Sequence, residues 1–385
     1  MSEICDLKEL LGIKDEVRNV DITSLTAPGE NFGSLMLKVD VTLKYKILNL
    51  VAKKIPQSVL YQNIFNIQVT YRKEVELYKT IVPILEEFAK KRLDFFPKYY
   101  ASRYNLKEND DMIDEDAVLV LENLAVMGYK NLNKKEGFDL KNAIIFLEDL
   151  AKFHAVPLAF KFKHPNVFEE KIKKLCFNTV FTDAKRYAKL NEASRQIISE
   201  CSSISHLADK ILFLNVDNMQ PISDAYGTLI HFDLWINNIM VNLKDGKSVG
   251  NKLVDFQVYN YGSPASDILF FFLTSLQGYV IKEHLDELIK HYHEHFVKCL
   301  QEFGCDTKLY TLESLLEELR IHSKFEYGHA VLYTTFFINA EKVSEDESTR
   351  GNPGNMIRGI TQLAKEKVCL ITAECDKRGW LPKLD

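Results

Sequence analysis

The fold is decided by two stretches, Leu229-Ile-His-Phe-Asp-Leu-Trp-Ile-Asn-Asn-Ile-Met240 and Val254-Asp-Phe-Gln257. The first contains His231-x-Asp233 and, after four further residues, Asn238, while the second supplies Asp255. This order and spacing are typical of a phosphotransferase catalytic loop and its metal-binding partner. Phosphoryl transfer to a hydroxyl needs a carboxylate that accepts the proton and hard oxygen ligands that hold Mg²⁺ on the nucleotide phosphates. The pattern therefore predicts Asp233 as the catalytic carboxylate and Asn238 with Asp255 as the metal ligands.

The segment between the two stretches is typical of a β-hairpin. Ile239-Met-Val-Asn-Leu and Lys252-Leu-Val-Asp-Phe are predicted as its two strands, and Lys244-Asp-Gly-Lys between them has turn chemistry. Pairing these strands is expected to place Asn238 beside Asp255 at one end of the hairpin. Taken singly, such Asp and Asn residues more often cap turns in a buried loop. Their combination around one hairpin favours the metal site.

A phosphotransferase also needs a cation for the phosphates, and Asn49-Leu-Val-Ala-Lys-Lys-Ile-Pro56 offers two lysines at the end of a predicted strand. Strand alternation points Lys53, rather than Lys54, to the same side as Val51. Glu74 lies on the apolar stripe of the next predicted helix, and a carboxylate there needs a cation. We predict a Lys53–Glu74 ion pair. The alternative is a glutamate at the rim that reaches water.

A candidate phosphate-covering loop, Pro28-Gly-Glu-Asn-Phe-Gly-Ser34, precedes the first long strand. Gly29 and Gly33 permit close approach of the backbone to phosphate, and Ser34 offers a hydroxyl and an amide as donors. An ordinary hairpin turn would have a similar sequence.

Composition excludes several classes of function. The 385 residues hold 49 Lys plus Arg against 54 Asp plus Glu, so a net charge of −5 gives no general attraction to nucleic acid or anionic membranes. Seven scattered cysteines without a C-x-x-C pair indicate a reducing, cytoplasmic environment. The first residues do not have the pattern of a signal peptide, and we expect no membrane span.

Hydrophobic patterning divides the chain near residue 122. Strands are predicted within Met36–Ala52 and Ala117–Leu121, whereas most segments beyond Leu124 have helical periodicity. Tyr71–Lys90 is also helical, and Pro83 is expected to divide it into two pieces. The pattern predicts an α+β protein with a sheet-rich first part and a helical second part.

The sequence resembles the ecdysteroid kinase-like proteins of insects, also called the CHK kinase-like group, which are relatives of choline and aminoglycoside kinases. The segments that carry the resemblance span most of the chain: Gly29-Glu-Asn-Phe, Lys53-Lys-Ile-Pro56, Glu74-Val-Glu-Leu-Tyr78, Leu121-Glu-Asn-Leu124, Leu150-Ala-Lys-Phe-His-Ala155, His231-Phe-Asp-Leu-Trp235, Asp255-Phe-Gln257 and Ser263-Pro-Ala-Ser-Asp267. Two positions depart from the family pattern. Phe232 replaces the usual glycine between His and Asp, and Asn123 replaces the usual Asp of the hinge motif.

The resemblance implies a two-lobed protein-kinase-like fold with ATP and Mg²⁺ in the cleft. Its N-lobe would comprise residues 1–121, its hinge 122–127, and its helical C-lobe, with the catalytic loop and acceptor pocket, 128–385. The adenine would lie against the hinge. The nucleotide-binding residues implied are Asn31, Phe32, Ser34, Lys53, Glu74, Glu122 and Leu124. The resemblance further implies that His231 and Asp267 support the catalytic loop.

The segment after Asp255 favours a small-molecule acceptor. Asp255 is followed by Phe-Gln rather than Phe-Gly, and eleven residues separate it from Asp267, which leaves no room for the peptide platform of a protein kinase. The resemblance implies an ecdysteroid-like or other hydrophobic alcohol. A weakly active pseudokinase that binds a hydrophobic ligand stays open because of Phe232. A protein kinase is the weaker alternative.

Aromatic residues concentrate in the C-terminal helices and could line the acceptor pocket or form the core of the C-lobe: Phe325, Tyr327, Tyr333, Phe336 and Phe337. In His291-Tyr-His-Glu-His295, two histidines share one helix face, which suggests zinc. No third ligand is evident from the sequence, so we expect a solvated helix face. His154 lies in an apolar helical stretch and is expected to be a hydrogen-bonded core histidine.

Overall fold

The structure is a computed structural model, which describes residues 4, 6–25, 34–107, 111–176, 184–214, 219–339 and 353–383. The chain forms two compact units. The first contains Met1–Lys130, together with Met240–Leu243 and Val249–Tyr259. The second contains the remaining segments: Asn131–Ile239, Lys244–Ser248 and Asn260–Asp385.

The first unit is built on a five-stranded antiparallel sheet with the strand order β1-β2-β3-β5-β4. Its strands are β1 (Val17–Ser24), β2 (Leu35–Leu43), β3 (Ile47–Lys54), β4 (Tyr99–Arg103) and β5 (Val118–Glu122). Leu37, Val39, Val41 and Leu43 alternate along β2 and are buried in one apolar cluster. Alternation therefore fixes which face of the sheet forms the core, and the predicted strands are confirmed.

The helices of this unit are α1 (Leu7–Leu10), α2 (Val59–Ile64), α3 (Ile67–Glu76) and α4 (Val82–Ala89). One turn of π-helix, Leu77–Ile81, joins α3 to α4, and Pro83 lies in the first turn of α4. The predicted division at Pro83 is thus a local widening of a continuous helical segment. Proline has no N–H to donate, and the π turn accommodates that missing hydrogen bond.

The predicted hairpin is confirmed. It consists of β8 (Ile239–Lys244) and β9 (Lys247–Leu253), and with β6 (Tyr129–Asn131) it forms a three-stranded sheet in the order β6-β8-β9. Asp245 and Gly246 at its turn have φ angles of 52° and 70°. Two successive positive φ values favour an Asp-Gly pair because they match the twist of the flanking strands.

The second unit is mainly helical. Its helices are α5 (Leu140–Lys163), α6 (Pro165–Val167), α7 (Ala184–Glu200), α8 (Pro264–Ser275), α9 (Gly278–Glu283), α10 (Leu285–Glu302), α11 (Leu312–Tyr333), α12 (Pro353–Arg358) and α13 (Gln362–Lys377). Two short strands, β7 (Thr228–Ile230) and β10 (Asn260–Gly262), pair in antiparallel fashion. Helix α5 packs against α10, and α8, whose residues are all buried, packs against α11.

The predicted α+β class, with a sheet-rich first part and a helical second part, is confirmed. The hinge at 122–127 stays a prediction, and the first unit also takes part of the β8–β9 hairpin. No helix in the described part of the chain is both long enough and apolar enough to cross a membrane.

Candidate active site

Lys53, Glu74 and Asp255 form a charged cluster within the first unit. The Lys53 Nζ atom lies 2.6 Å from Glu74 Oε2 and 2.7 Å from Asp255 Oδ1. The side chains of Lys53 and Glu74 are 5% and 1% exposed, whereas that of Asp255 is 44% exposed. The predicted Lys53–Glu74 ion pair is therefore present, and one cation is shared between a buried carboxylate and one that a ligand can reach.

The position of Lys53 follows from the pairing of β3. Its neighbours across the sheet are Met36 on β2 and Leu119 on β5, and its carbonyl oxygen accepts a hydrogen bond of 2.9 Å from the Tyr71 hydroxyl on α3. Lys54 is also only 4% exposed. Alternation thus assigns Lys53 to the carboxylates. Lys54, which alternation places on the opposite face of β3, is buried as well.

Burial and charge oppose each other in this cluster. Burial alone would lower the pKa of Lys53, but the carboxylates of Asp255 and Glu74 outweigh it and raise that pKa above its usual 10.5. Burial raises the pKa of Glu74 above 4.5 because it outweighs the attraction of Lys53. The Lys53 ammonium group is therefore charged at neutral pH, and its charge opposes the effect of burial on the pKa of Glu74.

The backbone at Asp255, two residues after the end of β9, adopts a positive φ of 66°. The next residue, Phe256, donates its N–H to Glu74 Oε1 at 3.2 Å and packs its ring against Tyr78 and Phe96. Sequence analysis assigned Asp255 to the metal and did not predict its contact with Lys53. The role of Phe256 in fixing the backbone next to Asp255 was not predicted either. Its position directly after Asp255 was the signal in the sequence that could have indicated this role.

The predicted hinge residues lie at the end of β5. The Glu122 carboxylate accepts hydrogen bonds from Lys98 N at 2.8 Å, Arg92 at 3.0 Å and Lys252 at 3.4 Å. These partners occupy the carboxylate of Glu122, and its backbone N–H donates to Lys98 O at 2.9 Å. The Asn123 side chain accepts a bond of 3.1 Å from Ala125 N, so asparagine performs the turn-capping that an aspartate could perform at this position.

The predicted catalytic loop lies in the second unit. Asn238, at the end of the 3₁₀ turn Ile236–Asn238, donates its side-chain amide to the Asp233 carbonyl at 2.8 Å and to Asp233 Oδ2 at 2.9 Å. Because the amide nitrogen makes both bonds, the Asn238 side-chain oxygen is directed away from the carboxylate. The loop therefore fixes the spacing of Asp233 and Asn238, while their proximity to Asp255 stays a prediction.

A buried carboxylate on α8 holds this loop, as the resemblance implied. Asp267 accepts the backbone N–H of His231 at 2.7 Å and that of Phe232 at 2.8 Å. Its Oδ2 also lies 3.1 Å from His154 Nε2, and His154 Nδ1 lies 2.8 Å from the Tyr292 hydroxyl. His154 is fully buried, so the predicted hydrogen-bonded core histidine is confirmed. Tyr292 was missed because it belongs to α10, far along the chain.

Phe232 occupies the position of the family's usual glycine with φ at 67°. This left-handed conformation suits glycine and strains a side chain with Cβ. The Phe232 ring stacks on Phe325, with centroids 6.4 Å apart and planes 6° apart, in an apolar cluster of the second unit. The loop thus retains a glycine-like backbone, and ring packing offsets part of the strain.

The C-terminal aromatic residues divide between core and surface. Tyr327 is fully buried and bonds to Thr372, so it belongs to the core. Phe325 and Phe336 are buried in the Phe232 cluster, and Tyr333 lies edge-on to Trp235. Phe337 is 38% exposed. The ring contacts of Phe232 and Trp235 place part of this aromatic set beside the catalytic loop.

Four predicted nucleotide-loop residues, Gly29, Asn31, Phe32 and Gly33, lie outside the described residues. Ser34 directly precedes β2 and is partly buried. Leu124 is buried at the start of a 3₁₀ turn, Leu124–Met127.

Known proteins similar to the chain comprise one family and solved structures of low sequence identity. No curated protein matches the chain. Solved structures similar to it include the GDP complex of wild-type aminoglycoside 2'-phosphotransferase-IIIa (14% identity, 97% of this chain and 96% of that chain, TM-score 0.45). Another is the complex of APH(2")-IIIa with GDP and kanamycin (13% identity, 97% and 98% coverage, TM-score 0.43). The sequence model of one family matches residues 28–305, well over half of the protein. The chain belongs to the ecdysteroid kinase-like family.

Proposed function

We propose that the protein is an ATP- and Mg²⁺-dependent kinase that phosphorylates a hydroxyl of a hydrophobic small molecule, such as an ecdysteroid-like alcohol. The observation that carries the proposal is the buried Lys53 shared by Glu74 and Asp255. A buried ammonium held by one inaccessible and one accessible carboxylate suits the neutralisation of nucleotide phosphates. Membership of a kinase-like family supports the same conclusion.

The side-chain oxygens of Asp255 and Asn238 are of the kind that binds a magnesium ion. Asp255 offers a carboxylate with a 44% exposed side chain, and Asn238 offers an amide oxygen whose orientation is set by its two bonds to Asp233. When bound with nucleotide, the ion would neutralise charge on the transferred phosphoryl group. Lys53 would bind phosphate oxygens, and the backbones of Glu122 and Leu124 would contact the adenine.

Asp233 is the proposed general base. Its Oδ2 accepts a bond from Asn238, and the loop that carries it is fixed by two consecutive backbone N–H groups that donate to Asp267. A carboxylate fixed in this way can orient an acceptor hydroxyl and take its proton as the oxygen bonds to phosphorus. The aromatic rings near Phe232 and Trp235 support a hydrophobic acceptor.

A pseudokinase that only binds a ligand is the second candidate, and Phe232 is the observation that favours it. The φ of 67° weakens that argument because the loop has the conformation that glycine would give.

The test measures ATP consumption with and without Mg²⁺ across a panel of steroid and non-steroid alcohols, with mass spectrometry of the products. We expect phosphorylation of at least one alcohol, dependent on Mg²⁺, and its loss in Asp255→Ala. Asp94→Ala is the matched control because the Asp94 side chain is 87% exposed in the same unit. ATP binding without phosphorylation of any alcohol would favour the pseudokinase. Full turnover by Asp255→Ala would contradict the metal assignment.

A further inference from the structure

Two histidines and a glutamate, all three partly buried, converge on adjacent helices of the second unit, and none of them has a role in the phosphoryl transfer proposed above. His291 and His295 lie one turn apart on α10, with ring centroids 4.2 Å apart. Glu148, on the adjacent helix α5, places its Oε1 atom 3.5 Å from His291 Nε2 and 3.9 Å from His295 Nε2. One ligand atom of each residue lies within 4.8 Å of the other two. The third residue, which was not evident from the sequence, is therefore Glu148 on a neighbouring helix.

We propose that Glu148, His291 and His295 bind a divalent transition-metal ion of the zinc class. Two imidazole nitrogens and one carboxylate oxygen form a ligand set that Zn²⁺ commonly uses. Tetrahedral Zn²⁺ holds its ligand atoms about 3.3 Å from each other, given metal–ligand distances of about 2.0–2.2 Å. The observed separations of 3.5 and 3.9 Å need only small side-chain movements to reach that geometry.

The tautomer of His295 is set for metal binding. Its Nδ1 donates to the backbone carbonyl of His291 at 2.9 Å. Since Nδ1 carries the proton of a neutral ring, Nε2 presents its lone pair toward Glu148. Such a bond from the second ring nitrogen to a carbonyl is the usual support of a metal-ligating histidine.

His291 supplies an independent sign of a missing ligand. Its Nε2 atom is buried, and no described residue forms a hydrogen bond with it.

The ion would join two helices that also support the catalytic loop. Helix α5 carries His154, and α10 carries Tyr292, the residue next to His291. The His154 Nδ1 atom and the Tyr292 hydroxyl are hydrogen-bonded at 2.8 Å. A metal bridge between α5 and α10 would therefore stabilise the folded second unit, because binding only to the folded state shifts the unfolding equilibrium.

The test titrates the chelator-treated full-length chain with Zn²⁺ by calorimetry, without nucleotide and with millimolar Mg²⁺ present. We expect one tight site per chain, since Mg²⁺ prefers oxygen ligands and should not compete. Affinity should fall about 10-fold or more in each of Glu148→Gln, His291→Gln and His295→Gln. His206→Gln is the matched control, because His206 is an exposed histidine of the same unit.

Wild-type thermal stability provides a second measurement that needs no variant to fold. Zn²⁺ should raise the unfolding midpoint by a few degrees relative to chelator, and Co²⁺ should give the visible absorption of a low-coordinate site. Failure to bind Zn²⁺, or equal affinity in wild type and the three glutamine variants, would overturn the proposal. The outcome does not depend on kinase activity, so it can fail or succeed separately from the proposed function.

Discussion

The two clusters of predicted active-site residues are held together by different forces. Around Lys53, in the first unit, opposite charges at 2.6 and 2.7 Å hold the side chains in place. Around Asp267, in the second unit, one carboxylate accepts two backbone N–H groups and contacts a buried histidine. Loss of one member leaves an uncompensated charge in the first cluster and unsatisfied donors in the second. The two clusters should therefore respond differently to the same kind of substitution.

The largest effect is expected for Lys53→Met. It leaves Glu74 buried without its cation, so the free energy of unfolding should fall by about 3–5 kcal/mol, and phosphoryl transfer should fall about 10²–10³-fold. Urea denaturation and initial rates measure these changes.

Two further variants test the cause of that effect. Lys53→Met/Glu74→Gln should regain much of the lost stability but none of the activity, because the buried charge is gone and the cation is still missing. Lys54→Met should reduce turnover far less than Lys53→Met. Equal losses of turnover at Lys53 and Lys54 would show that the assignment of the phosphate cation is wrong.

Asp267→Asn should have the next largest effect. The amide nitrogen cannot accept a hydrogen bond, so stability should fall by about 1.5–3 kcal/mol for each bond lost to the loop. Hydrogen exchange at the His231 and Phe232 amides, with urea denaturation, measures the change. Asp245→Asn at the exposed hairpin turn is the matched control, and asparagine suits its positive φ. Unchanged amide protection in Asp267→Asn would show that this carboxylate does not hold the loop.

A pH series distinguishes the charged cluster from other sources of stability. Because the folded pKa of Lys53 lies above its usual 10.5, the folded state holds this proton more tightly than the unfolded chain does. The contribution of the Lys53 ion pair to the free energy of unfolding is complete below the usual pKa of 10.5, and it is lost as the pH rises through the raised pKa. The stability difference between wild type and Lys53→Met should therefore narrow above pH 10.5 in urea denaturation series. A difference that stays constant in this range would exclude the ion pair as its origin.

The smallest effect concerns Phe232. Both Phe232→Gly and Phe232→Ala lose the stacking on Phe325, but only glycine relieves the strain of a positive φ. We expect Phe232→Gly to be more stable than Phe232→Ala by about 1 kcal/mol, measured by urea denaturation. Equal stabilities would show that the backbone at this position is not strained.

Local patterns predicted the parts of the site that depend on one element at a time. Alternation along β3 selected Lys53, and the apolar stripe of α3 placed Glu74 where a cation is needed. The Asp-Gly turn located the hairpin that ends before Asp255.

Contacts between distant elements could not be predicted in the same way. Three such features depend on how separate elements pack: the bond that Lys53 donates to Asp255, the burial of Lys54 and the approach of Glu148 to His291. The periodicity of one helix or strand does not predict which residues of another element will contact it. The resemblance implied the role of Asp267. The hydrogen bond between Tyr292 and His154 could be identified only from the structure.

The most direct test of the central claim compares wild type with Asp233→Asn, which keeps the shape of the side chain and removes the proton acceptor. General-base catalysis contributes about 10²–10⁴-fold, so kcat for alcohol phosphorylation should fall by that factor, while ATP affinity by calorimetry should change little. Asp209→Asn, at a side chain that is 94% exposed in the same unit, is the matched control. Undiminished kcat in Asp233→Asn would contradict the account.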